Sequence, residues 1–436
     1  SRALVAQLST SVVLNVSLDW RMLVFTAAVA VVSAVLFGVV PAWRATRAAP
    51  IDALKEPASA LRAKAGWPGL SGAGRGSGSV VVVQIALSLM LVVTAGLFVR
   101  TFQRLASVPL GFDSDRVLLV NVDATRSAID PASRLSFSRR LVEAVAAVPG
   151  VAHAAGSDIT PASGHHKRFP VDVSGGLSMP LPERAVRVHD ITPGWFATYG
   201  TRIRAGRDFD QRDAINAPPV AIVNEAFARK FFSGKTPIGQ TVTELPPPGS
   251  DEVPVPKTVV GVVDDAVYRT PRDGVEPTLY EPLNGEASNI NISARASSGS
   301  PVSLARSVAA ALTAVDRNLA FSFRPLADQV NASFAQERLV ALLSGLFGAL
   351  AVLLAGIGLY GVTSYAVTCR QHEIGVRMAL GAERASVIVL VLRKSIALTA
   401  IGLLLGLAGA ALATRYLEAM LFGVTPLDPV TFFAVP

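Results

Sequence analysis

Residues 338–393, RLVALLSGLFGALAVLLAGIGLYGVTSYAVTCRQHEIGVRMALGAERASVIVLVLR, join two apolar runs through a short charged patch punctuated by glycine. The first run, Leu339 to Cys369, contains no Asp, Glu, Lys or Arg. A membrane-spanning helix needs about 20 such residues to cross roughly 30 Å of hydrocarbon, and core helices of soluble proteins rarely stay charge-free beyond about 14. Three more intervals meet the same test: Met22 to Trp43, Gly76 to Val99, and Ser395 to Thr414, the last extending back through Arg393 and Lys394 to Val387. With 51% apolar residues and a mean hydropathy of +0.45, the 436-residue chain reads as a membrane protein.

Charge gives the expected orientation. Residues 105–335 carry 23 Lys/Arg and 24 Asp/Glu, whereas the remainder carries 17 and 8, so the net charge of +8 arises beside the apolar runs. Arg44, Arg47, Lys55, Arg62, Lys64 and Arg75 follow the Met22 to Trp43 run; Arg370, Arg377, Arg384, Arg393 and Lys394 surround the junction of the Leu339 to Cys369 and Ser395 to Thr414 runs. The positive-inside rule makes both groups cytoplasmic and leaves 105–335 outside. The basic balance is therefore directed at membrane lipid, and no aromatic-interleaved basic patch favours nucleic acid. Cys369 is the single cysteine, so the outer domain must rest on an ordinary core.

That outer region alternates strand and helix patterns. VLLVNVD (117–123), PASRLSFSRRLVEAVAAVPG (131–150) and VAHAAGSDI (151–159) read as strand, helix and strand. NINISARA (289–296), SPVSLARSVAAALTAV (300–315) and AFSFRPL (320–326) repeat the order. Between them lie short strands in RAVRVHDI, PPVAIVNEA, KTVVGVVDD and PTLYEPL. The expectation is an α-helical transmembrane protein carrying a large extracytoplasmic α+β domain of two lobes.

Domain limits follow. Residues 1–56 would end a first module, with a spanning helix over 22–43; the Gly, Ser, Ala and Pro-rich stretch 57–79 is a cytoplasmic linker. A second module starts with a spanning helix at 80–104, carries the outer domain 105–335 and ends with 336–436. This last segment holds helices at about 339–368 and 387–414 and the start of another at 429. LDWRMLVFTAAV (18–29) and LDPVTFFAVP (427–436) echo each other, and with Ser1 first and an apolar run last, the chain is expected to be an internal piece of a longer protein.

Chemistry-bearing motifs are sparse. FFSGKTPIG (231–239) contains GKT, yet a phosphate-binding loop needs a glycine five residues before Gly234, where Arg229 stands, and a preceding strand, where NEAFARKFF has a helix pattern. His165 and His166 share a loop, His153 and His189 are isolated, and surface histidines account for them better than a metal site. Asp264 and Asp265 read as turn residues. No paired-carboxylate or Ser-His-Asp arrangement stands out, so no enzyme activity and no directly bound cofactor are expected. Gly402, Gly406 and Gly409 suggest that the last long helix packs closely on a neighbour.

The patch itself takes shape as a helix. Arg370, Glu373, Arg377 and Arg384 fall at spacings of three, four and seven, with Glu373 and Arg377 in the favourable i, i+4 order. Ile374 and Met378 flank this stripe, Leu380 ends it, and Gly381 is a natural stop before a fresh start at Ala382 to Arg384. A short separate helix with apolar knobs is a shape that a partner protein can grip.

Residues 338–393, together with ITPGWFATYGTRIRAGRDF (191–209), PPVAIVNEAFARKFFSGKTPIGQ (218–240) and VVGVVDDAVYRTPRDGVEPTLYEPL (259–283), resemble the MacB/FtsX family of ABC-transporter permeases, in particular the large duplicated permeases of the acidobacterial type. The resemblance implies that 105–335 is a MacB-like periplasmic core domain and that 370–382 is a coupling helix seated on an ATPase. Arg370, Glu373, Ile374, Gly375, Arg377, Met378, Leu380 and Gly381 would form that contact. It further implies an ABC ATPase on another chain, where ATP is bound, paired FtsX-like modules, a bacterial inner-membrane location, and movement of the outer domain that extrudes lipoproteins, peptides or drugs. A periplasmic adaptor or outer-membrane component would be a further partner. The alternative is a membrane-anchored sensor or scaffold whose outer domain binds a periplasmic partner without energy input.

Overall fold

The computed structural model describes residues 20–35 and 73–424, apart from 125–126, 128, 178, 211, 214–216, 247–252, 284–288, 369–370, 382 and 418–420. Helix α1 (Trp20–Ala34) covers the start of the first charge-free interval. The rest of that interval, residues 57–72 of the linker expected over 57–79 and the last helix expected at 429 lie outside the described residues; residues 73–79 of that linker are helical instead, forming the first turns of the helix that follows. Two units separate at Ser77 and Gly78, within the first turns of the next helix, and every contact described below lies in the second.

Helix α2 (Ala73–Ala106) leads into the outer domain. Strand β1 (Val117–Asp123), helix α3 (Arg134–Ala146) and strand β2 (Val151–Ser157) come first. Strands β3 (Lys167–Val173) and β4 (Ala185–Ile191), helix α4 (Trp195–Tyr199), strands β5 (Ile203–Gly206) and β6 (Val220–Asn224), helix α5 (Glu225–Phe232), and strands β7 (Thr241–Glu244), β8 (Pro256–Val263) and β9 (Thr278–Pro282) form the middle. Strand β10 (Asn289–Ala296), helix α6 (Ala305–Val315) and strand β11 (Ala320–Pro325) complete it. Helix α7 (Leu326–Ser333) then precedes the long helix α8 (Ala335–Thr368), the short helix α9 (Gln371–Ala379) and the long helix α10 (Arg384–Leu417).

Lobe one is a four-stranded antiparallel sheet in the order β11-β1-β10-β2, covered by α3 and α6. Two strand-helix-strand units far apart in sequence interleave there, because β10 inserts between β1 and β2. Both helices bury one face, Leu141 and Val145 from α3 and Val308 and Leu312 from α6, against Val120, Ile292 and Ala294. Lobe two runs β4-β3-β7-β8-β6-β9, with β5 on β8 and a second core around Phe227, Phe231 and Val259. A single residue pair, Ser157 with Ile191, registers β2 of lobe one against β4 of lobe two.

The histidine reading needs one correction. His189 was expected at the surface but is fully buried in β4, because both faces of that strand are covered: Val186 and Val188 face the core of lobe two, and His189 faces the aromatic cluster of Trp195, Tyr268 and Tyr280. Its ring lies 4.9 Å from Tyr268 and 6.0 Å from Tyr280, and neither nitrogen has a hydrogen-bond partner. Burial lowers its pKa to about 3, helped by the nearby Arg187 and Lys167 charges.

Candidate functional site

Three described helices are long and apolar enough to cross a membrane: Gly78–Ala106, Ala335–Tyr365 and Ser395–Leu417. The glycine spacing in α10 has the consequence expected of it. A Cβ at Gly402 would lie 2.8 Å from Ile85, one at Gly406 would lie 2.9 Å from the Ala86 carbonyl oxygen, and one at Gly409 would lie 2.8 Å from the Met90 sulfur. Helix α2 is thus the close neighbour, and Leu89, Val93, Leu97 and Ala410 form the buried seam. On the other side of α2, Gln84 and Ser88 donate to the carbonyls of Leu354 and Ala351 in α8. The Thr363 and Ser395 hydroxyls, 3.0 Å apart, link α8 to α10.

Between α8 and α10 the charged patch forms α9, a separate nine-residue helix. Leu380 and Gly381 close it with backbone bonds to Val376 and Met378, and Gly381 takes φ +88°, which favours glycine strongly. Met378 is 39% exposed and Leu380 82% exposed, so both knobs are open to a partner, while Ile374 is half-buried. A Cβ at Gly375 would meet nothing within 4 Å, so the space it leaves faces no other part of the described chain. Arg377 is exposed on the same helix. Arg370 and the side chain of Glu373 lie outside the described residues. Arg384 begins α10, beyond the break at Gly381.

The membrane helices enter the outer domain at one place. Below α2, Leu110 packs on the aromatic core and Phe112 stacks on Tyr268 with ring centroids 6.1 Å apart. Val267 donates to the Leu110 carbonyl at 2.8 Å, and Asp113 donates to that of Tyr199 at 2.8 Å. Above α8, Leu326 and Val330 of α7 are buried in the same core, Phe334 packs against it, and Gln329 donates to Thr160 and Pro161. Arg338 in the first turn of α8 donates to the Phe334 carbonyl at 2.9 Å. Trp195, Phe196 and Tyr199 of α4, flanked by Gly194 at φ +82° and Gly200 at φ +74°, form the centre of that core. The composition of WFATY carried the signal, but nothing in the local pattern ties it to two membrane helices more than 80 residues away on either side.

FFSGKTPIG falls at the end of α5, with Phe231 and Phe232 buried and Gly234 at φ +88°. It follows a helix, as its pattern indicates, where a phosphate loop would follow a strand. Asp265 does more than turn the chain: it accepts from the Ala226 amide at 2.7 Å and so satisfies a free donor at the start of α5.

Apolar helices that carry an α+β outer domain, with a short helix between the last two, are the layout of a membrane permease. The profile described as MacB-like periplasmic core domain matches residues 80–314, and that described as FtsX-like permease C-terminal matches 345–435. The chain belongs to the MacB/FtsX-type permease family. Its sequence is 26% identical over 246 residues to the uncharacterized ABC transporter permease YknZ of Bacillus subtilis, covering 53% of this chain and 59% of YknZ. It is 26% identical over 234 residues to the macrolide export ATP-binding/permease protein MacB of Acinetobacter baylyi, covering 51% of this chain and 34% of that protein. The periplasmic region of MacB from Actinobacillus actinomycetemcomitans superposes with a TM-score of 0.34 at 14% identity, covering 53% of this chain and 98% of that region. The chain thus spans between a third and three fifths of the length of these two full-length relatives.

Proposed function

We propose that the chain is the non-catalytic permease subunit of an ABC transporter of the bacterial inner membrane. In this reading ATP hydrolysis on a separate ATPase moves the outer domain, and that movement exports or extrudes lipoproteins, peptides or drugs. The observation that carries it is continuity. Helix α9, with Met378 and Leu380 outward, lies directly between two spanning helices, and one of these, α8, runs through Phe334 into the core of the outer domain. A push on α9 therefore has one continuous route to Trp195 and Tyr199, along the 34 residues of α8, about 51 Å of helix. Relatives named as ABC permeases support the reading. Glu373 and Arg377 would fix the register of the docked ATPase, and Ile374, Met378 and Leu380 would supply its apolar contact.

The test is co-purification of the full chain with its ATPase, followed by ATP turnover in lipid. Reversing Arg377→Glu together with Glu373→Arg should release the ATPase and remove its stimulation while membrane insertion persists. Unchanged stimulation would refute the coupling role and favour a passive scaffold.

A further inference from the structure

Beneath the junction of the lobes lies a cavity of about 560 Å³. Lobe one supplies Leu135, Arg139 and Val142 from α3, and lobe two supplies Phe209, Lys257 and Glu281. Ile191, Pro193 and Pro282 line the seam. The volume lies within the roughly 300–1,000 Å³ of small-molecule sites, and the wall is mainly apolar.

Its charges do not balance. Arg139 and Glu143 offset each other on α3, and Asp210 and Asp213 are taken up by Arg212 and Arg207. At the floor, Lys257 pairs with Glu281 and stands 3.6 Å from Glu244, so one ammonium faces two carboxylates. Oε1 of Glu281 is buried with no hydrogen-bond donor, and Oε1 of Glu244, equally buried, has only the Lys257 ammonium at 3.6 Å. Strand β4 adds Asp190 in register with Glu281, and Asp190 already shares Lys167 with Asp158. At this seam Glu244, Glu281, Asp190 and Asp158, the last just past the end of β2 in lobe one, thus share the two ammonium groups of Lys257 and Lys167. Burial, then Glu244, raises the Glu281 pKa to about 8, which means that a proton fills the gap when nothing else does.

We propose that this interlobe cavity binds an apolar organic cation, whose charge replaces the proton shared by Glu281 and Glu244 and whose body spans α3 and the β8–β9 floor. The exchange balances: one cation enters and one proton leaves to solvent. Because the walls belong to both lobes, a bound ligand touches both at once. This deepens the permease reading by giving the cargo class, and rests on it only for the link to ATP.

Full-length protein in lipid nanodiscs is titrated calorimetrically with tetraphenylphosphonium, in two buffers of different ionisation enthalpy, with empty nanodiscs as the partition blank. Saturable binding is expected, with release of about one proton at pH 7 and affinity rising about tenfold per pH unit up to about 8. Glu281→Gln should weaken binding at least about tenfold and abolish proton release. Val142→Trp and, separately, Leu135→Trp, both at half-buried positions of α3, should block the cavity while Tm stays within a few degrees. Equal binding of the isosteric anion tetraphenylborate, no saturation above the blank, or wild-type binding by both Glu281→Gln and Val142→Trp would overturn the proposal. None of these readouts involves an ATPase, so a failed coupling role leaves them unaffected.

Discussion

The Gln84 side-chain amide donates to the Leu354 carbonyl at 2.7 Å, a polar bond between α2 and α8 inside their apolar runs. One turn along, Ser88 donates to Ala351 at 3.0 Å. In hydrocarbon such bonds between helices contribute on average about 0.6 kcal/mol, with a maximum near 1.7. Gln84→Leu should therefore lower stability in detergent by about 1 kcal/mol, read as a shift in the denaturant midpoint. Adding Ser88→Ala should remain below about 3 kcal/mol in total.

Gly406 is a harsher test of the same bundle. Its Cβ would lie 2.9 Å from the Ala86 carbonyl oxygen and 3.0 Å from the Ala86 Cα, both backbone atoms that cannot move aside. Gly406→Leu should cost about 1–3 kcal/mol or more and force α10 off α2. Gly356 meets nothing within 4 Å, so Gly356→Ala should leave thermal stability unchanged or slightly raised. Equal effects at the two glycines would mean that α10 is not seated on α2.

His189 makes the outer domain acid-sensitive. Its pKa falls from 6.5 to about 3 on folding, so between those values the unfolded chain binds the extra proton. Stability is intact above about 6.5 and is lost as the pH falls toward 3, by up to a few kcal/mol. His189→Phe should flatten unfolding curves over that window and leave stability at pH 7 equal or higher, since both ring nitrogens are unpartnered.

The exposed end of α9 separates docking from folding. Leu380→Asp should leave Tm unchanged, because the side chain is 82% exposed, yet weaken association with an ATPase about tenfold. Gly381→Ala should cost about 1 kcal/mol through its positive φ, and should impair association by fraying the helix end. Surface plasmon resonance with nanodisc-embedded chain reads both.

Much of the architecture is legible because its signals are local. Val117–Asp123 and Asn289–Ala296 show continuous β-patterned runs, and the strands begin and end where those runs do. Gly381 marks the end of α9 by chemistry that only glycine satisfies cheaply. What stayed hidden is long-range. Nothing in RAVRVHDI distinguishes a buried His189 from an exposed one, since that depends on Tyr268 and Tyr280 arriving from distant segments. Lys257 and Glu281 look like ordinary surface charges until β8 and β9 bring them together under α3.

The shared aromatic core ties both connections to the outer domain at one place. Phe112 and Phe334, one beyond each helix, are anchored in a single body around Trp195. A domain hung from two cords tied to the same knot cannot take up sliding of one cord past the other by stretching in between. Any such sliding would have to tilt the whole body, and an axial displacement at the membrane would then swing each point of the domain by an amount that grows with its distance from the knot.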